Sequence, residues 1–488
     1  MKKFHAIAFR AVAWPVGVLS GCLLSSTALA AESGTVLDLT STWPGLLALV
    51  IFIGAYLLVA TEEYTDLRKS TPVVLAAGLI WLLIAAYVQF AGLDAPVEHA
   101  LAETFTNFAS LFLFLLVAMA YVNAMTDRHV FEALRGWLVA HRFTYRQLFW
   151  VTGLLSFFIS SAIDNLTTAL VMGAVVMAVG GGNRRFVVLA CINVVVSANA
   201  GGAFSPFGDI TTLMVWQTGV LGFTEFFRLF VPALVNFVVP AAIMCFAVPV
   251  SAPEGGSQVR HMRRGGRAVI VLFALTVATA VLGHGVLGLP PYFGMMVGLA
   301  YLQLLMFYLR KTTPARAAVA DESADLVPAM EIDEREEEEP ASRFSVLVHV
   351  ANAEWDTLLF FYGVLLCIGG LAFLGYLAVL AEVLYLQWGA TWANVTVGVL
   401  SSVIDNIPIM AAVVKMNPSM PDGQWLLVTL TAGVGGSLLS VGSAAGVALM
   451  GQARGVYTFM SHMKWSWAVA LGYVASILAH LAINASLF

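Results

Sequence analysis

The chain has 488 residues, of which 60% are hydrophobic and only 11% charged, whereas charged residues make up about a quarter of a soluble domain. With a mean hydropathy of +0.87, this excludes an ordinary soluble protein, and the lack of a basic face excludes a nucleic-acid partner. The net charge of −5 says less than the placement of Lys and Arg, which orients a membrane chain. Many segments reach the 18 or so apolar residues that cross a bilayer, so the expected fold class is an all-α polytopic membrane protein. The four cysteines, Cys22, Cys191, Cys245 and Cys367, show neither a metal spacing nor a disulfide framework.

Residues 1–30 read as a secretion signal or an extra N-terminal helix. Lys2, Lys3 and Arg10 precede an apolar stretch and the small-residue site Ala28-Leu29-Ala30. Leu19-Ser20-Gly21-Cys22 fits a bacterial lipid-attachment pattern, but the apolar residues after Cys22 favour simple cleavage or an uncleaved helix. The first repeat, 44–250, opens with spans near 44–60, 72–92 and 105–124, which bring the chain inside at Arg128, Arg135, Arg142 and Arg146. The apolar run 147–180 is flanked by arginines at both ends, so it predicts a re-entrant hairpin with Asp164-Asn165 near its tip. Residues 186–222 are too long for one span and hold the Gly- and Pro-rich stretch Gly201 to Asp209. This predicts two half-helices joined by an unwound segment that lines a polar cavity. A span near 229–250 then returns the chain to the basic cluster Arg260, Arg263, Arg264 and Arg267.

The second repeat, 268–486, follows the same plan. Spans near 268–285 and 291–309 lead to a cytoplasmic acidic loop, 312–345, whose run Glu331 to Glu339 reads as a solvated connector. A span near 357–380 precedes a second hairpin, roughly 388–416, in which Ser401-Ser402-Val403-Ile404-Asp405-Asn406 echoes Ser160-Ser161-Ala162-Ile163-Asp164-Asn165. Gly435 to Ser443 aligns with Gly201 to Asp209 as a second helix break, and a last span lies near 466–486. Each half thus has five crossings and one hairpin. An odd number inverts the second half, so the hairpin tips and helix breaks are expected to meet near the midplane from opposite sides.

An ionisable side chain inside an apolar span is expensive and marks an ion or proton site. The expected site gathers the carboxylates Asp164, Asp209 and Asp405, with Na⁺ or Li⁺ held among them. Side-chain oxygens of Asn165, Thr167, Thr168, Asn199, Ser205, Asn406, Ser437, Ser440 and Ser443 surround them, and half-helix C-terminal ends add partial negative charge. Such an all-oxygen set suits a hard cation, and no resident cofactor is expected. A carboxylate away from water holds a proton readily, so proton and Na⁺ compete for it, which is the basis of antiport. The duplication is incomplete, because Ser443 stands opposite Asp209. His284 and His480, near helix ends, are expected at the membrane interface.

Asp164-Asn165-Leu166-Thr167-Thr168-Ala169-Leu170 and the segment Ala198 to Asp209 resemble the NhaD-type Na⁺/H⁺ antiporters of the ion transporter superfamily. Glu354-Trp355-Asp356-Thr357-Leu358-Leu359-Phe360-Phe361 resembles a segment shared more widely, including arsenite permeases. The resemblance covers roughly 44–486. It implies a bacterial inner-membrane antiporter that exports Na⁺, and Li⁺ too, against inward proton flow, as a homodimer with elevator motion. One rival is an anion carrier of the same superfamily, for arsenite or carboxylates, which three site carboxylates would repel. Another is an intramembrane aspartyl protease, but no intramembrane Tyr-Asp pair accompanies Pro206-Phe207-Gly208-Asp209.

Overall fold

The computed structural model describes residues 38–60, 67–140, 143–180, 183–251, 262–312, 346–440 and 442–488. The signal-like segment 1–30 and, beyond Thr312, the acidic loop to residue 345 lie outside the described residues. Regular structure among the described residues is helical throughout, and eight helices are long and apolar enough to cross a membrane. The chain is a multi-pass membrane protein.

The first half runs α1 (Trp43–Ala60), α2 (Ser70–Ala91), α3 (Val97–Asp127), α4 (Val130–Ala140), α5 (Tyr145–Ser160), α6 (Asn165–Gly180), α7 (Arg184–Ala203) and α8 (Ile210–Gln217). A 3-10 turn, Phe223–Leu229, then feeds α9 (Phe230–Cys245). The second half runs α10 (Gly266–Leu287), α11 (Pro291–Thr312), α12 (Val346–Ala351), α13 (Trp355–Phe373), α14 (Tyr376–Ala381), α15 (Ala390–Leu400) and α16 (Asn406–Met416). It ends with α17 (Asp422–Gly435), α18 (Ala444–Gln452), α19 (Phe459–Met463) and α20 (Ser466–Ile483).

Local sequence sets several of these ends. Thr144 and Gln147 close a capping box at the start of α5, each side chain bonding the other's backbone N–H. The span expected near 105–124 is longer, because Glu98, Ala100, Leu101, Ala102 and Glu103 are good helix formers that continue α3 beyond its apolar part. The span expected to run to 380 instead stops at Phe373. Gly375 takes φ 97, a left-handed turn that ends one helix and starts the next.

The segments 145–180 and 390–416 each double back. Tyr145 Oη donates to Gly180 O at 3.2 Å, so the start of α5 lies beside the end of α6. With 16 residues each, these helices span about 24 Å, short of the roughly 30 Å hydrocarbon core. In the second hairpin Asn394 Nδ2, near the start of α15, lies 3.7 Å from Met420 Sδ, four residues beyond the end of α16.

Packing in one half has its counterpart in the other. α1 packs on α2 as α10 does on α11, and α2 on α13 as α11 does on α3. α5 packs on α7 as α15 does on α17, and α6 on α18 as α16 does on α8. The pairs α3–α13, α7–α17 and α9–α20 join matching helices of the two halves. The correspondence reaches single atoms. Ser160 Oγ donates to Ala198 O at 2.6 Å, and Ser401 Oγ donates to Ala432 O at 2.8 Å. A Cβ on Gly208 would overlap Ser160 O, and one on Gly442 would overlap Ser401 O, so both helix breaks press backbone to backbone against a hairpin tip.

Candidate functional site

The two hairpin tips and the first break converge on Asp209. α7 ends at Ala203, the chain turns through Phe204 to Gly208, and Asp209 starts α8. Asp209 Oδ1 accepts from both the N–H and the Oγ1 of Thr211 at 2.9 Å, the N-cap geometry that Asp favours. Its Oδ2 accepts from Asn165 Nδ2 at 2.9 Å, at the tip of the first hairpin. Asn406 Nδ2, at the tip of the second, lies 3.2 Å from Oδ2 and 3.5 Å from Oδ1. This carboxylate, only 3% exposed, therefore collects one amide from each half of the chain.

Asn199 extends the network. Its Oδ1 accepts from Asn165 Nδ2 at 3.1 Å and from Ser443 Oγ at 3.1 Å, and its Nδ2 faces Ser437 Oγ at 2.8 Å and Ser443 Oγ at 2.9 Å. Ser443 thus does occupy the place matching Asp209, but as a partner of Asn199. The other two carboxylates flank the centre. Asp164 accepts from Thr167 N at 2.9 Å and Thr167 Oγ1 at 2.7 Å, and Asp405 accepts from Ile407 N at 3.4 Å. Each of the three carboxylates therefore sits at the N-terminus of a helix, α6, α8 or α16. The positive end of a helix and its free N–H groups favour a buried anion there. These N-termini went unforeseen beside the half-helix C-terminal ends expected to add partial negative charge. The reason is local: Asp is a strong N-cap and starts the second helix of each pair.

A cavity of about 50 Å³ is lined by Asp164, Asn165, Asp209, Asp405, Asn406 and Lys69, among others. A smaller one of about 30 Å³ lies between Asn123, Asp164, Thr167 and Glu354, so Asp164 borders both. Among the described residues no group of three His, Cys, Asp or Glu is gathered closely enough to hold a metal ion. The three aspartates line one cavity without forming a cluster, because each is held at a different helix start.

Asn199, Ser437 and Ser443 stand behind the cavity lining in the hydrogen-bonded network, and three other expected residues bond elsewhere. Thr168 Oγ1 donates to Ile163 O at 3.3 Å, Ser205 Oγ accepts from Phe207 N at 3.3 Å, and Ser440 Oγ lies 2.8 Å from Tyr457 Oη. For the first two the cause is the usual competition of Ser and Thr for nearby backbone. Thr211 and Lys69 went unforeseen. Thr211 had a signal in the Asp-x-Thr start of a helix. Lys69 had none, since its place on the cavity, with its ammonium 5.0 Å from the Phe360 ring, joins segments far apart in sequence. His480 is fully buried near the end of α20, with Nε2 2.9 Å from Gly423 O and Nδ1 2.9 Å from Asn484 Nδ2. His284 is half-buried near its helix end, with Nδ1 3.1 Å from Leu289 O.

A family model described as a citrate transporter (CitMHS) matches residues 36–433. The Na(+)/H(+) antiporter NhaD of Alkalimonas amylolytica is 53% identical over 98% of this chain and 98% of its own length. The protein of the same name from Halomonas elongata is 53% identical over 97% of this chain and 96% of its own. Sodium/proton antiporter 1 of Arabidopsis thaliana is 31% identical over 90% of this chain and 72% of its own length. These are transporters and not enzymes, which removes the protease reading. The chain belongs to the citrate-transporter family, on the branch that holds the NhaD-type Na⁺/H⁺ antiporters.

Proposed function

We propose that the chain is a secondary antiporter of the bacterial inner membrane that exports Na⁺, and Li⁺, in exchange for protons competing for Asp209, Asp164 and Asp405. One observation carries this reading: a deeply buried carboxylate bonded by the tip amide of both hairpins. The competition needs no resident cofactor. An ionised Asp209 offers Na⁺ a carboxylate within an oxygen-rich pocket, and Asn165 and Asn406 offer amide oxygens nearby. A protonated Asp209 offers no charge to hold the cation. Asp164 borders both cavities and serves as the approach from the Glu354 side, while Asp405 guards the second tip.

In the same reading the two halves form an inverted repeat of five spans each, with re-entrant hairpins at 145–180 and 390–416. The matched packing and the paired contacts of Ser160 and Ser401 support it. We also infer a homodimer, as the resemblance implies. The family description raises the anion alternative, which the cavity disfavours. Three carboxylates line it beside Lys69, a balance that repels an anion.

In inverted membrane vesicles with an imposed pH gradient, added Na⁺ or Li⁺ is expected to dissipate the gradient. Asp164→Asn, Asp209→Asn and Asp405→Asn are expected to abolish the response at unchanged protein levels. Vesicles that ignore Na⁺ and Li⁺ but respond to citrate, arsenite or K⁺ would refute the assignment.

A further inference from the structure

The second helix break is closed by a buried polar chain that lies outside the cavity. Ser440 stands at φ 65, in the left-handed region unfavourable to residues with a Cβ. Its Oγ lies 2.8 Å from Tyr457 Oη, which lies 2.8 Å from His462 Nδ1, while His462 Nε2 lies 2.7 Å from Ser437 O. All four residues are buried. Hydrogen-bond chemistry then fixes every proton. A carbonyl oxygen only accepts, so His462 Nε2 carries the proton and donates to Ser437. In the neutral ring Nδ1 is an acceptor, so Tyr457 donates to it, and Ser440 donates to Tyr457. This arrangement needs a neutral imidazole, and burial pushes His462 down to about 4.

The first break needs no such device. Asp209 caps α8 with its own carboxylate, whereas Ser443 makes no cap at the start of α18 and turns its Oγ to Asn199. Ser437 links the polar chain to the site. Its carbonyl is held by His462, and its Oγ accepts from Asn199 Nδ2 at 2.8 Å. Asn199 in turn meets Asn165, whose amide bonds Asp209. The Ser440 turn has no slack, because a Cβ on Gly446 would overlap it.

We propose that Tyr457 and His462 are positioning residues of the ion site, bracing the second break so that Ser437 fixes Asn199, and through it Asn165, against Asp209. This rests on Asp209 being the ion site. The test uses the full-length protein in inverted vesicles, with variants compared at equal amounts of monodisperse protein. Tyr457→Phe keeps the ring and removes the hydroxyl, and it is expected to raise the apparent KM for Na⁺ about tenfold with the maximal rate near wild type, as loss of one buried hydrogen bond implies. His462→Ala is expected to do the same. His462→Gln is expected to restore a low KM, since its amide nitrogen donates to Ser437 and its oxygen accepts from Tyr457. Its pH profile is expected to superimpose on wild type.

A KM within about twofold of wild type, less than one hydrogen bond is worth, in both Tyr457→Phe and His462→Ala overturns the proposal. So does a His462→Gln variant no better than His462→Ala, which would point to a proton relay. Asp209→Asn run in parallel separates the two readings. If it stays active, the ion-site assignment fails. If it is inert while Tyr457→Phe keeps its KM, only the positioning role fails.

Discussion

Asn165→Ala tests the geometry of the site most directly. Asn165 Nδ2 donates to Asp209 Oδ2 at 2.9 Å and to Asn199 Oδ1 at 3.1 Å. A hydrogen bond to a charged group contributes about 1.5–3 kcal/mol. If Asp209 is ionised when Na⁺ is bound, losing that amide is expected to raise the apparent KM for Na⁺ by a factor of about 10–150. Asn406 sits further off, at 3.2 and 3.5 Å. Its contact resembles a neutral-strength bond of about 0.5–1.5 kcal/mol, so Asn406→Ala is expected to raise KM only about 2–10-fold. The assay is recovery of a fluorescent pH-gradient signal in inverted vesicles over a series of Na⁺ concentrations. A wild-type KM for Asn165→Ala, or a larger effect from Asn406→Ala, would refute the reasoning that the shorter Asn165 bond to Asp209 contributes more.

Two further predictions concern the frame around the site. Gly208→Ala and Gly442→Ala would each drive a methyl into the backbone of a hairpin tip. Backbone cannot repack as a side chain does, so each is expected to cost about 1–3 kcal/mol or more. A thermal-melting assay of the detergent-solubilised protein reads this directly, with Gly78→Ala, whose added methyl meets nothing, as an unchanged control. At the foot of α13, His349 on α12 is fully buried with Nδ1 3.1 Å from Asp127 Oδ2. Burial first, and Arg128 after it, lower its pKa, partly offset by Asp127. A lowered folded pKa means stability present at neutral pH and lost as pH falls below the free-imidazole value of about 6.5. Hydrogen exchange across residues 346–351 is therefore expected to speed up between pH 7.5 and 5.5. His349→Leu should flatten that dependence, and an equally steep profile in the variant would show that another group titrates.

The large features of this protein are legible in its sequence because each has a one-dimensional cause. Apolar runs fix the spans, and the repeated Asp-Asn pair marks both turns between paired helices. Gly201 to Asp209 and Gly435 to Ser443 mark both breaks, since only glycine allows a break to press on a tip. What stayed hidden is the direction of short side chains. Thr168 and Ser205 look like ligands by type, yet backbone groups within a few residues capture them. Tyr457 and His462 carry no motif, and their role depends on a fold that brings them to Ser440 and Ser437. The partners of His480, Gly423 and Asn484, are likewise not readable from its place near a helix end.

The asymmetry of the repeat follows from the same contacts. Both tips supply an amide, and both amides go to Asp209 rather than to the aspartate beside them. A second carboxylate in place of Ser443 would join the same buried network as Asp209, linked to it through Asn199 and Asn165. Two like charges in one water-poor network repel, and one would have to stay protonated. Serine avoids that while still anchoring Asn199, which leaves Asp209 as the carboxylate that both tip amides bond. The loss of symmetry has a structural consequence as well. Ser443 leaves α18 without the carboxylate cap that Asp209 gives α8, and the Ser440–Tyr457–His462 chain takes over the work of holding that break in shape.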